Sequence, residues 1–286
     1  MTTRIGVIGG SGFYGMDGLT DVEERLIDTP FGNPSDAIVT GRLAGRDVAF
    51  LARHGRGHHT SPTFLNVRAN IFALKTLGVD AILSFSAVGS LREHIEPTSF
   101  VVPTQIYDHT KGRASSFFGE GLVAHVSFAE PFCPSLRPAL LDVAGRDAAT
   151  VHDGGTYICM EGPQFSTKAE SELYRTWGMD IIGMTAATEA KLAREAEMCY
   201  VTLAAVTDFD CWHPAHDDVT TEMILANLGA NVAAGQRLIV EALRNFPVAR
   251  DCGCRSALSA SLATRPDAIP ADVRKRLAPL VGKYLT

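Results

Sequence analysis

Two aspartates close an apolar stretch, where the run from Cys199 to Val206 leads into Thr207-Asp208-Phe209-Asp210-Cys211-Trp212. Carboxyl groups leaving an apolar strand beside Phe209 and Trp212 are poorly hydrated, which raises their pKa and suits them to donating a proton. Alternation along an extended chain puts Asp208 and Asp210 on one side of the backbone; a helix N-cap or a polar turn is the other reading. A second group of donors, Arg53-His54-Gly55-Arg56-Gly57-His58-His59, follows the apolar run 48–52. Arginine presents a planar fork matched to phosphate, and the glycines permit close backbone approach. Without a ligand the same residues read as a solvated basic loop, or as part of a zinc site whose acidic or thiol partners are not adjacent. A third run ends in Ser86-Ala87-Val88-Gly89-Ser90, small residues whose hydroxyls and amides suit the same tetrahedral anion.

Near the N-terminus, Gly10-Ser11-Gly12-Phe13-Tyr14-Gly15 matches G-x-G-x-x-G directly after an apolar run. A dinucleotide site needs a helix next and an acidic residue about 20 positions on, at the end of a second strand. Here Met16-Asp17-Gly18 follows, and the region of the required acid is the Pro/Gly loop Asp28-Thr29-Pro30-Phe31-Gly32, so the spacing does not carry a Rossmann reading. What remains is a strand-end loop whose amides and Ser11 hydroxyl can hold one small anion, or a plain tight turn. Phe165, after Glu161-Gly162-Pro163-Gln164, and Met184, before Thr185, read either as core or as the apolar faces of a slot for a flat ring.

These groups need a scaffold that brings strand ends together. Short β-branched runs at 4–8, 48–52, 80–86, 99–106, 155–160, 179–184 and 199–206 alternate with helical patterns at 63–77, 135–145, 167–177, 186–197 and 218–244. Near-continuous apolar runs suit strands covered on both faces. The alternation predicts an α/β fold, one domain with a mostly parallel central sheet. Its body is expected over residues 1–245, with 246–286, carrying Pro247, Pro266, Pro270 and Pro279, as a C-terminal extension packed on the same domain. The 286 residues are 46% hydrophobic and 20% charged, with 26 glycines and 14 prolines, which excludes a disordered tail, a collagen-like repeat and a coiled coil. A net charge of −6 provides no global field for nucleic acid or anionic lipid, so neither nucleic acid nor membrane is an expected partner. No stretch approaches about 18 unbroken apolar residues, and the glycine-broken N-terminal run is no signal-peptide core. Of the cysteines at 133, 159, 199, 211, 252 and 254, only Cys252 and Cys254 are close in sequence, and nothing completes a zinc spacing. Reduced, mostly buried thiols in a cytoplasmic enzyme are expected, with a redox-active or bridged Cys252–Cys254 pair as the alternative.

Eight segments in order carry a resemblance: Gly-Gly-Ser-Gly at 9–12, Asp-Thr-Pro-Phe-Gly at 28–32, Ala-Arg-His-Gly-Arg at 52–56, Gly-Ser-Leu-Arg-Glu at 89–93, Ala-Glu-Pro-Phe-Cys-Pro at 129–134, Glu-Gly-Pro-Gln-Phe-Ser at 161–166, Gly-Met-Thr at 183–185 and Thr-Asp-Phe-Asp-Cys-Trp at 207–212. Together, over residues 4–245, they resemble the trimeric purine nucleoside phosphorylases. The resemblance implies a central mixed, largely parallel sheet flanked by helices, a homotrimer, and no metal or organic cofactor, with inorganic phosphate as co-substrate. The implied reaction is phosphorolysis, in which phosphate displaces a purine from its ribose. It places phosphate on Ser11, Arg53, His54, Ser86 and Ala87, with Thr185 between phosphate and sugar. It sets Met184 against the ribose, Phe165 against the base and Thr207 beside the acid pair in the substrate site. His125 is implied to reach a neighbouring subunit's pocket near the 5′ substituent, and Thr221, Ile224 and Leu225 to line that pocket. Asp208 then protonates N7 of the leaving base, with Asp210 accepting from a 6-amino group or supporting Asp208. Relatives that prefer 6-oxopurines resemble this pattern with Asn at the first acid, so aspartate favours a 6-aminopurine, and a mostly apolar 5′ pocket favours a methylthio group. The rival expectations are a purine nucleoside phosphorylase acting on adenosine, methylthioinosine or 6-oxopurine nucleosides, a hydrolytic nucleosidase, a nucleotide-binding module built on the glycine loop and a zinc hydrolase using the histidines.

Overall fold

The computed structural model describes residues 4–10, 16–214, 220–247 and 250–285, without the side chains of Met223 and Leu225. In chain order the elements are β1 (Arg4–Gly9), β2 (Thr20–Arg25), β3 (Ile38–Leu43), β4 (Arg46–Ala52), α1 (Val67–Thr76), β5 (Val79–Ser90), β6 (Phe100–Val102), β7 (Gln105–His109), α2 (Leu136–Ala144), β8 (Val151–Asp153), β9 (Thr156–Met160), α3 (Lys168–Thr176), β10 (Ile181–Gly183), α4 (Ala186–Glu195), β11 (Cys199–Asp208), α5 (Thr221–Arg244) and α6 (Ala271–Val281). One mixed sheet joins all eleven strands. Six of its ten pairings are parallel, as the α/β alternation requires.

The long strand β5 organises the sheet. It pairs with β1 along Val79–Ser84, with β11 along Ala81–Gly89, and antiparallel with β10 at Gly89–Ser90. From it the sheet runs outward through β1, β4, β3 and β2, through β10, β9 and β7, and through β11, β6 and β8. Successive residues of one strand serve opposite layers, as the two-residue period dictates. Val48 and Phe50 pack with α2 and α5, through Leu136, Leu140, Leu238 and Leu243, while Ala49 and Leu51 pack with α1 and α4, through Ile71, Leu74, Leu192 and Ala193. At Gly235 of α5, a Cβ would collide with the Phe85 ring, so only glycine lets this helix settle directly on β5.

Several expectations are corrected. The single strand expected at 99–106 is two, because Pro103 has no N–H for the ladder: β6 pairs with β11 and β8, whereas β7 pairs with β9. The hairpin of β2 and β3 was not expected, since β2 (TDVEER) is exposed throughout and shows no apolar alternation. Its charges mark it as a sheet edge protected against further pairing. The short β8 and the helix α6 were also unexpected, α6 because prolines flank and interrupt it at 270 and 279. Residues beyond 246 nonetheless join the core: Leu258, Ile269, Val273, Leu277, Leu280 and Val281 pack with α1 and α4. All six cysteines are free thiols, four of them buried. No described helix is long and apolar enough to cross a membrane.

Candidate active site

Neighbouring parallel strands in an α/β sheet deliver their C-terminal ends to one edge, where ligands bind. Here β4, β1, β5 and β11 lie side by side in that order, all parallel. Gly10 after β1, Arg53 after β4, the last residues of β5 and the acid pair ending β11 therefore share an edge. Ser11 itself lies outside the described residues.

Arg53 extends the β1–β4 ladder, its N–H donating to the Gly9 carbonyl at 3.0 Å, and its side chain turns inward to only 3% exposure. The expected open fork is instead closed by a residue that motif reading did not single out. Nε and Nη2 grip the two carboxylate oxygens of Glu189, at 2.5 and 3.2 Å. Nη2 also donates to Ser84 Oγ at 2.7 Å and Nη1 to the Phe85 carbonyl at 2.8 Å. Four of the five guanidinium hydrogens are thereby used, which leaves one on Nη1. Glu189 accepts further from Ser84 Oγ at 3.1 Å and from the Tyr200 hydroxyl at 2.9 Å. Burial opposes the charged arginine, but the Glu189 carboxylate outweighs it and holds the guanidinium pKa above its ordinary value. The pair is charge-neutral, a rigid donor mount more than a free cation. Its signal in the sequence was a glutamate on the buried face of a helix, four residues after Thr185.

His54 is neutral: burial and the adjacent Arg53 charge lower its pKa to about 4. Its Nδ1 lies 2.8 Å from the Thr60 carbonyl, so this nitrogen carries the hydrogen, and the ring stacks on His58 at 4.2 Å. The other ring nitrogen is then an acceptor, suited to the hydroxyl of a monohydrogen phosphate. Ser86 Oγ is buried beside the Tyr157 hydroxyl, which is near enough to bond it. Ala87 beside Ser86 is half-buried. Thr185 caps the N-terminus of α4 with its backbone, its hydroxyl unused for capping, and the amides of that helix end face outward with partial positive charge. Gly183 packs directly on the Tyr157 hydroxyl, where any Cβ would collide, and the antiparallel register of β10 on β5 runs Met184 and Thr185 back towards Ser86.

The acid pair is built differently from the expected alternation. β11 ends at Asp208, and Asp210 adopts φ +50, a left-handed turn that breaks the extended period. Asp208 Oδ1 accepts from the Asp210 N–H at 2.8 Å, and its Oδ2 lies 2.7 Å from Thr207 Oγ1, which is in turn 3.2 Å from the Val88 carbonyl. The Thr207 hydroxyl donates to Oδ2, so an acid proton on this carboxyl is left free to face a ligand. Burial pushes the Asp208 pKa up to about 6, against the hydrogen bonds from Thr207 and Asp210, and burial raises that of Asp210 as well. The turn is anchored by Trp212, whose Nε1 donates to the Ser90 carbonyl at 2.8 Å and whose ring carries Arg175 at 3.5 Å.

Gly89 makes room for this carboxylate, since a Cβ there would lie 2.7 Å from Asp208 Oδ1 and 3.0 Å from Ile182 Cγ2. Gly89→Ala is expected to lower kcat/KM at least about tenfold while costing only about 1–3 kcal/mol of stability. Steady-state kinetics beside thermal melts check this, and wild-type activity in the variant would show that the Asp208 position is not critical.

The remaining residues form the rim. Met184 lies against Gly162, where a Cβ would come 2.5 Å from its sulfur, and packs beside Ile182, Phe209 and Trp212. Arg113, unremarked in the sequence, links the two loops by donating from Nη1 to the Met184 carbonyl at 2.5 Å and from Nη2 to the Glu161 carbonyl at 2.6 Å. Phe165 stands 40% exposed beyond this link. Helix α5 is tied to the acid pair's strand by Asn227 and Asn231, which donate to the Thr207 and Val206 carbonyls at 2.6 and 3.1 Å. Thr221 and Ile224 precede Asn227 at three-residue intervals on the same helix stripe; the side chain of Leu225 lies outside the described residues. His125 does not join the site within this chain. It is exposed on a strip that bonds to the C-terminal segment through Ser261, beside a cavity of about 530 Å³ lined by Glu130, Arg194, Cys254 and Ser256 among others.

A family profile described as the phosphorylase superfamily matches residues 4–244. The S-methyl-5′-thioadenosine phosphorylase of Koribacter versatilis (strain Ellin345) is 55% identical over 284 residues, spanning 99% of this chain and 97% of that protein. A methylthioadenosine phosphorylase sourced from an Antarctic soil metagenomic library superposes with a TM-score of 0.91 at 48% identity, over 98% of this chain and 99% of that one. Methylthioadenosine phosphorylase from Schistosoma mansoni in complex with adenine gives 0.82 at 35% identity, over 91% and 97%. On these grounds, with the donors and the acid pair on one sheet edge, the chain belongs to the phosphorylase superfamily.

Proposed function

We propose that the chain is a pentosyltransferase that cleaves S-methyl-5′-thioadenosine with inorganic phosphate, yielding adenine and 5-methylthioribose 1-phosphate. The observation that carries this reading is the relation of the two polar clusters through β5. The Arg53 mount bonds to the Phe85 carbonyl, and Asp208 lies against Gly89. Four residues of strand, about 13 Å, separate them, room for a nucleoside held at both ends. Phosphate takes the remaining Arg53 hydrogen, the Ser86 hydroxyl and the Ala87 and Thr185 amides, and its own hydroxyl meets the accepting nitrogen of His54. Ser11 completes this set. The glycosidic bond breaks with positive charge on the ribose and negative charge on the base. The held dianion stabilises the first and attacks C1′, while protonated Asp208 gives its proton to N7 and answers the second. The C1′–N9 electron pair leaves with the adenine, and Asp208 regains a proton from solvent.

Asp210 accepts from the 6-amino group, Thr207 donates to Asp208 and leaves its acid proton for N7, and Phe165 and Met184 bound the base and ribose. Thr221, Ile224 and Leu225 with the His125 of a neighbouring protomer surround the methylthio group in a homotrimer, and the enzyme acts in the cytoplasm. The names of the relatives support the substrate, and so does the second acid of the pair, Asp210, whose carboxylate accepts from a 6-amino group.

A panel of methylthioadenosine, adenosine, methylthioinosine and inosine, each with and without phosphate, tests the reading. Adenine release from methylthioadenosine should be fastest and should fall to near zero without phosphate. Turnover persisting without phosphate would make the enzyme a hydrolase, and faster cleavage of inosine would move it to the 6-oxopurine class.

A further inference from the structure

Away from the nucleoside edge, tertiary structure gathers four of the six cysteines. Cys133 precedes α2, Cys199 opens β11, and Cys252 and Cys254 lie in the C-terminal segment. Their sulfurs all lie within 4.8 Å of one another, and Cys199 Sγ stands 3.6 Å from Cys252 Sγ. Zinc–thiolate bonds of about 2.3 Å place the sulfurs of a tetrahedral site about 3.8 Å apart, so a small inward adjustment of these side chains closes that geometry. The spacing is also that of one cluster, in which each sulfur has three sulfur neighbours.

Hydrogen bonds hold three of the four positions together independently of any ion. The Cys133 N–H donates to the Tyr200 carbonyl at 2.8 Å, fixing it beside Cys199. Ser135 Oγ donates to the Asp251 carbonyl at 3.0 Å, fixing the start of α2 beside Cys252. Backbone amides of Ser135 and Leu136 are directed at the Cys133 sulfur, the hydrogen bonding that supports metal-bound thiolates. Cys133, Cys199 and Cys254 are buried in the apolar layer with Leu136, Leu140 and Phe246. Cys254 also lines the open cavity near His125, which supplies an entry path.

We propose that Cys133, Cys199, Cys252 and Cys254 form a structural tetrathiolate site for one soft divalent cation of the zinc class, which fastens the C-terminal segment to β11 and α2. Binding releases the thiol protons to solvent and forms four metal–sulfur bonds, with no change of oxidation state. The site has no open position and takes no part in phosphorolysis.

The full-length protein, purified under reducing conditions without chelator, should carry one zinc per chain by elemental mass spectrometry. The protein stripped of metal and given Co²⁺ alone should show the intense visible bands of tetrahedral cobalt and a thiolate-to-cobalt charge-transfer band. Chelator should lower Tm by about 5–10 °C, reversibly on adding Zn²⁺. Cys252→Ser, at the half-exposed ligand, should weaken zinc retention at least about tenfold, and the wild-type cobalt spectrum stands whether or not that variant folds. Weak pink octahedral cobalt, a metal-free protein with four titratable thiols that does not take up Zn²⁺, or an intact mass showing disulfides among these cysteines would each overturn the proposal.

Discussion

Asp208→Asn is expected to lower kcat/KM for methylthioadenosine by about 10²–10⁴, the range that a general acid contributes. The carboxyl is 6% exposed, and its Oδ2 sits against Thr207, so the asparagine fits with few steric consequences. What it loses is the transferable proton. The same change replaces the acid at this edge of the base by an amide whose N–H can donate to O6 at every pH. A mispaired buried polar group costs about 1–3 kcal/mol, so the ratio of inosine to methylthioadenosine cleavage should rise by one to two decades.

The pH profile separates chemistry from packing. Burial sets the Asp208 pKa at about 6, and His54 is neutral above about 4. Wild-type kcat/KM at fixed saturating phosphate should therefore fall as pH rises through 6, and that limb should be missing in Asp208→Asn. Stability moves in the same direction. A carboxyl whose folded pKa is raised contributes stability that is complete below its unfolded value near 4 and lost as pH rises through about 6. The asparagine variant should gain in Tm relative to wild type above that pH. An unchanged profile and unchanged base preference would remove Asp208 from the reaction.

Arg53→Leu is expected to destroy phosphate-dependent turnover and, separately, to destabilise the fold by about 3–5 kcal/mol. The second effect follows from Glu189, whose side chain is 3% exposed and would be left without its cation. The double variant Arg53→Leu/Glu189→Leu removes both charges and should recover much of the lost stability while remaining inactive. Chemical denaturation of the three proteins measures this. Recovery of activity in the double variant would show that Arg53 serves only to neutralise Glu189. Glu189→Gln tests the mount itself: the neutral amide keeps the shape but frees the guanidinium charge and loosens its aim. KM for phosphate should change more than kcat with the nucleoside held saturating.

The linear chain by itself determined the α/β class and the groups at the strand ends. Both are local: apolar runs of strand length alternate with helical periods, and Arg53, Ser86 and Asp208 each follow such a run. Parallel strands then send all those ends to one edge. Interrupted or charged elements were illegible, because β2 has no apolar face and Pro103 divides one apolar run between two branches of the sheet. Only the tertiary structure decided what each polar group faces. Glu189 meets Arg53 across 136 residues, the αL turn at Asp210 breaks the alternation, and four cysteines without zinc spacing converge. The physical reason is that sequence patterns report burial and backbone period, whereas charge state and coordination depend on neighbours in space. Those neighbours are set when β5 takes three partners at once and the C-terminal segment folds back onto the core.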